Sequence, residues 1–210
     1  MANLFDMDGA QWREMLAQLD DDARALFLRE ASRLCADAEA MFRAFENRRV
    51  YPRLTEEVLA QTPDEELVLT VFDTLAAQSP PDLDEAGYLA GLSPQRRAAY
   101  MLYILAGEVD NGGFNQYYYN TGAEAAAYLP DACELIGAPE YADLVRRANA
   151  CYLQSDIAAR HDGSLEAFCA SYENNPLADF DDEFYLLQNR LPLEGLLVKF
   201  IRAHTAAFAD

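Results

Sequence analysis

Apolar residues recur along this chain at intervals of three and four, the spacing that gathers them on one face of a helix. Trp12, Met15, Leu16 and Leu19 form the first such stripe. Asp20-Asp21-Asp22 follows as an N-cap and acidic first turn for a second helix. That helix carries Leu26, Phe27, Leu34, Met41, Phe42 and Phe45 and is expected to end near Asn47, ahead of Pro52. Thr55, preceding Glu56 and Glu57, opens a third. Thr62-Pro63-Asp64-Glu65 reads as an N-cap, a proline at the first helical position and a capping-box glutamate. Leu67, Val68, Val71, Phe72 and Leu75 form the stripe behind it. Ser79-Pro80-Pro81 ends that helix and is the candidate junction between an N-terminal acidic region, residues 1–80, and a C-terminal domain, residues 81–210, packed together as one unit.

A helical turn is expected at Asp84–Leu89, and Ser93-Pro94 opens a helix through Tyr100, Met101, Tyr103, Ile104 and Leu105 to about Asp110. Asn111-Gly112-Gly113 breaks it, because glycine adopts backbone angles that other residues avoid. A short helix over 114–120 and further helices near 123–136, 139–154, 164–173, 182–189 and 193–208 complete the chain. Alternating runs of strand-forming residues are absent. The expected class is all-α, a compact bundle-like array of many helices.

Charge changes this picture from a fold to a surface. Against 16 bases stand 36 acids, for a net charge of −20, where solubility alone asks for a magnitude of about 2–8. The first ninety residues carry 19 acids and 8 bases and the remainder 17 and 8, so the acidity is spread over the chain. With 51% hydrophobic residues this is a folded protein and not a disordered acidic tail. Direct nucleic-acid binding is disfavoured, since it needs a basic footprint, and anionic membranes are disfavoured for the same reason. No stretch approaches the roughly 20 apolar residues of a membrane span, and MANLFDMDGAQW lacks a signal-peptide pattern. The expected setting is the cytoplasm. Two plainer accounts of the acidity are a solvated surface and adaptation to high salt, the latter in keeping with fifteen arginines against the single Lys199.

Candidate chemistry is sparse. Cys35, Cys133, Cys151 and Cys169 form no C-x-x-C pair and sit among apolar neighbours, where a thiol acts as a small buried hydrophobe. His161 falls in an expected turn, Arg160-His161-Asp162-Gly163, and His204 in the last helix, with no metal-binding spacing between them. Asp82-Leu83-Asp84-Glu85-Ala86-Gly87 imitates the start of a calcium loop, but Ala86 and Ser93 occupy positions five and twelve, where ligands are required. The Asp179-Phe180-Asp181-Asp182-Glu183 cluster is read as the cap of the helix that follows it. Phosphate-cradling and nucleophile motifs are absent, so no catalytic residue, metal or cofactor is expected.

The most distinctive segment is Glu108-Val109-Asp110-Asn111-Gly112-Gly113-Phe114-Asn115-Gln116-Tyr117-Tyr118-Tyr119-Asn120. Glu108, Asn111, Gln116 and Asn120 are suited to a polar network beside the tyrosines, with one of the glycines at positive φ and Phe114 buried. Such a network either locks a helix–turn–helix corner or builds a recognition pocket; the structural role is preferred.

That segment also carries a resemblance. From Ser93 onward the chain resembles the C-terminal domain of a family of small acidic bacterial proteins. The family's hallmark is E-V-x-N-G-G-F-x-Q-Y-[YF]-x-N, matched from Glu108 to Asn120, followed by the Leu135-Ile136-Gly137-Ala138-Pro139 turn and the Phe200-Ile201-Arg202-Ala203-His204 ending. The resemblance implies an all-helical homodimer of DNA-mimic type, whose acidic surface occupies the DNA-binding face of a basic partner such as a transcription factor. Mimicry is physically reasonable. Duplex DNA bears one phosphate per about 1.7 Å of axis, and carboxylates four positions apart on a helix lie about 6 Å apart, so adjacent acidic helices present comparable rows. Asp20, Asp21, Asp22, Glu56, Glu57, Asp64, Glu65 and Glu66 are the candidate contacts. An immunity-type protein neutralising a specific basic enzyme is the alternative reading, and an uncharacterised enzyme the third.

Overall fold

A computed structural model describes residues 9–46, 48–157 and 164–210, and every regular element among them is helical. The all-α class therefore holds. The chain falls into two units, one ending at Arg48 and the other comprising Arg49–Asp210. Ser79-Pro80-Pro81, read as a junction, lies inside the second. The expected helix end at Asn47 and the Arg160–Gly163 turn with His161 lie outside the described residues.

The first unit holds α1 (Gly9–Gln18) and α2 (Asp21–Glu46). Asp20 caps α2 as expected, its Oδ1 accepting from the Ala23 N–H at 2.7 Å. Arg24 turns back to donate to the Leu16 and Leu19 carbonyls, each at 2.9 Å, satisfying acceptors left open at the end of α1. The Trp12 and Phe27 rings meet at 5.8 Å.

The second unit is organised around α6 (Pro94–Ala126). It is preceded by α3 (Glu56–Gln61), α4 (Asp64–Ala77) and α5 (Glu85–Gly91). It is followed by α7 (Leu129–Leu135), α8 (Pro139–Gln154), α9 (Leu165–Ser171), α10 (Ala178–Arg190), α11 (Leu193–Ala203) and α12 (Thr205–Phe208). Three helix starts behave as the local sequence dictates: Thr55, Asp84 and Ser93 each accept from a backbone N–H three residues on. α6 packs on α4, α7, α8 and α10. Its Leu102, Leu105, Val109, Phe114, Tyr117 and Tyr118 are all buried. Burying each such side chain contributes roughly 1.5–3 kcal/mol, so this helix holds the core together.

Two clasps tie distant parts of this unit. Asp210 donates its N–H to the Leu54 carbonyl at 2.8 Å, and its carboxylate accepts from the Leu54 N–H at 3.1 Å and from Arg96 at 2.5 Å. Arg202 of α11 donates to the Leu59 and Thr62 carbonyls and pairs with Asp64 at 2.6 Å.

Several expectations are corrected. Thr62 does not cap α4: its hydroxyl donates to the Val58 carbonyl at 2.7 Å and finishes α3, while Pro63 precedes α4 without a side-chain cap. The stretch near 123–136 is not one helix, because α6 ends at Ala126 and Pro130 sits in the first turn of α7. The last stretch is interrupted at His204, whose φ of −129° leaves the helical region. The acidic cluster at 179–183 lies within α10 and does not precede it. All four cysteines are free, but only Cys133 is buried; Cys151 is half-buried, and Cys35 and Cys169 face outward. Burial pushes the Cys133 thiol up to about 12.

Candidate functional site

The Glu108–Asn120 segment breaks α6 and restarts it. Gly113 has φ 73° and ψ −177°, a combination essentially confined to glycine. The helix resumes at the buried Phe114, whose N–H donates to Asp181 Oδ1 at 2.7 Å. A carboxylate from α10 thus caps a helix restart in α6, the task that sequence reading gave it at the start of its own helix. A Cβ on Gly113 would overlap that same carboxylate. Burial pushes Asp181 up to about 6; the Phe114 N–H opposes the rise and the neighbouring Asp182 charge adds to it. Carbonyls freed by the break find new donors, Tyr172 for Gly112 at 2.7 Å and Tyr185 for Val109 at 2.8 Å.

The expected polar network forms without one of its members. Gln116 Nε2 and Asn120 Nδ2 both donate to Glu108 Oε2, at 2.8 and 2.7 Å. Asn111 is exposed and is not bonded to Glu108. Tyr117 and Tyr118 are buried, and Tyr118 stacks on Tyr152 at 4.1 Å while donating its hydroxyl to Asn149 at 2.6 Å. These two rings belong to the core.

The candidate acidic contacts are all exposed and all lie at helix starts. Asp20, Asp21 and Asp22 belong to the first unit, at α2; Glu56 and Glu57 open α3, and Asp64, Glu65 and Glu66 open α4 in the second. Their charges are not equally available. Asp21 pairs with Arg24 at 3.3 Å and Asp64 with Arg202, and Glu57 accepts from Gln61 at 3.0 Å. Glu56, Glu65 and Glu66 make no ion pair among the described residues.

Sequence reasoning missed a groove of about 610 Å³ between α4, α6 and α11. Val68, Leu69, Ile104 and Leu197 give it an apolar floor. Phe72 and Tyr103, stacked at 4.2 Å, stand along it. Glu108, Asp110 and Glu194 also line it, and among the described residues no arginine or lysine does. The available signal was weak: Val68 and Phe72 read as one core stripe, and nothing local announced that α11 would leave part of that stripe open. Among the described residues no group of three or more His, Cys, Asp or Glu is placed to hold a metal ion. No described helix is long and apolar enough to cross a membrane.

Residues 90–204 match the family described as DMP19-like protein, over more than half of the chain. The chain belongs to the DMP19-like family. The matched span contains the Glu108–Asn120 corner, the groove walls on α6 and α11, and the Arg202 clasp. It omits α3 and α4, so the acidic turns there are features of this DMP19-like chain outside the shared region. No curated protein and no solved structure matches the sequence.

Proposed function

We propose that this DMP19-like protein is a DNA mimic that binds a basic DNA-binding protein, for example a transcription factor, and blocks its access to DNA. The observation that carries the reading is a net charge of −20 on a member of this family. In the acidic first turns of α3 and α4, Glu56, Glu65 and Glu66 are exposed and make no ion pair among the described residues, as a surface standing in for phosphates requires. The role is binding and not catalysis, carried out in the cytoplasm by a homodimer.

The test is competition. The immobilised protein should retain a basic DNA-binding protein from host lysate, duplex DNA should displace it, and the protein alone should not bind DNA. Replacing Glu56, Glu65 and Glu66 together by glutamine should weaken the complex by about tenfold or more while leaving the helical signal unchanged. A partner that holds DNA and this protein at once would overturn the reading.

A further inference from the structure

The groove between α4, α6 and α11 has a chemistry that narrows its occupant. Its floor is aliphatic, a stacked Phe72–Tyr103 pair stands along it, and among the described residues every charged side chain lining it is a carboxylate. Anionic ligands are repelled. A purely apolar ligand would desolvate Glu108, Asp110 and Glu194 with nothing in return. A bare cation would leave the aliphatic floor unused. What fits both parts is a cation on an apolar stem. Arginine fits best, since its stem lies along aliphatic surface while the planar guanidinium stacks on aromatic faces and bonds carboxylates.

The Glu108–Asn120 motif contributes directly. Gln116 and Asn120 both bond Glu108 Oε2, which fixes the carboxylate before anything binds. Partial desolvation raises the Asp110 carboxyl, so an incoming cation would relieve an existing penalty there.

We propose that this groove is the docking slot for an arginine-bearing, apolar segment of the protein partner, held by Glu108, Asp110 and Glu194 over the Phe72–Tyr103 pair. The inference rests on the mimic reading for the identity of the partner, but the slot is testable without it.

Two end-blocked peptides of equal charge, acetyl-Leu-Arg-Leu-Arg-amide and acetyl-Ser-Arg-Ser-Arg-amide, are titrated into the full chain at physiological salt. Binding is followed by NMR of the Leu69, Ile104 and Leu197 methyls. The leucine peptide should bind about tenfold more tightly than the serine peptide, because only it covers the aliphatic floor. Its shifts should concentrate on those three methyls. A Cβ at Gly107, which lines the groove, meets no atom within 4 Å. Gly107→Trp therefore fills the slot with no change of charge and should erase the tenfold preference. If that variant does not fold, Glu194→Gln, an exposed change on α11, should weaken the leucine peptide severalfold.

Equal affinity for the two peptides, a preference that survives Gly107→Trp, or a leucine-peptide affinity unchanged by Glu194→Gln overturns the slot. Free arginine amide binding as tightly as the leucine peptide overturns it in favour of a small-molecule site. A DNA-competed partner whose affinity ignores Gly107→Trp sinks the slot and leaves the mimic reading standing. Peptide docking with no DNA-competed partner does the reverse.

Discussion

Gly113 and Gly122 share one backbone conformation, φ 73° with ψ of −177° and 175°, yet their surroundings differ. A Cβ at Gly122 meets no atom within 4 Å, whereas one at Gly113 runs into the Asp181 carboxylate. Alanine at Gly122 therefore reports backbone strain alone, about 1–3 kcal/mol. Alanine at Gly113 adds displacement of Asp181 and loss of its bond to the Phe114 N–H. Thermal melts should show Gly113→Ala falling clearly below Gly122→Ala. Equal melting temperatures would mean that Asp181 moves aside without penalty and that its cap contributes little. The Asn-Gly-Gly run announces a break to anyone reading the sequence. The reason only glycine fits there does not, because the obstructing carboxylate lies 67 residues beyond Phe114.

Among elements, the join between α6 and α10 is the one that pH should reach. Asp181 is raised to about 6, chiefly by burial, above the value near 4 that an unfolded carboxyl takes. The folded state thus holds this proton more tightly than the unfolded chain. Its contribution to stability falls as pH climbs from about 4 to about 6. The side-chain amide oxygen of the Asp181→Asn variant keeps an acceptor for the Phe114 N–H and carries no charge to desolvate. The melting temperatures of wild type and variant should lie closest near pH 4, and the amide should gain steadily up to about pH 7. A wild type that overtakes the amide at neutral pH would show that the charged hydrogen bond outweighs burial. The same contrast between local and distant causes explains what was legible. Thr55 and Ser93 cap as read because a cap needs only the next turn. Thr62 and Asp181 were misassigned because their partners were settled by packing: Thr62 closes the helix behind it and Asp181 serves another helix altogether. The groove was illegible for that reason too, since Phe72 and Glu194 meet only once α4, α6 and α11 are assembled.

For the molecule as a whole, one cause should produce two opposite effects. With 36 acids against 16 bases, repulsion among exposed carboxylates works against folding at low ionic strength. Ion pairs such as Arg146–Glu134 and Arg190–Glu140 offset part of it, but both are half-exposed or more, and such pairs are worth about 0–1 kcal/mol each. Salt screens attraction and repulsion alike, and repulsive pairings outnumber attractive ones here. Raising salt from about 0.01 M to about 0.5 M shortens the Debye length from roughly 30 Å to a few ångströms. The melting temperature should therefore rise across that range. The complex with a basic partner should weaken over the same range, because its attraction is between opposite charges on two surfaces. A protein whose acidity serves only solvation would show the first trend and have no complex to lose. A docking slot with an aliphatic floor adds one refinement: the salt-sensitive part of binding should vanish at high salt, while a remnant of affinity owed to Leu69, Ile104 and Leu197 persists and disappears only in Gly107→Trp. Isothermal titration of the partner at both salt extremes, with wild type and variant, measures this directly. Affinity that falls to nothing at high salt in the wild type would leave the acidic surface as the whole of the interaction.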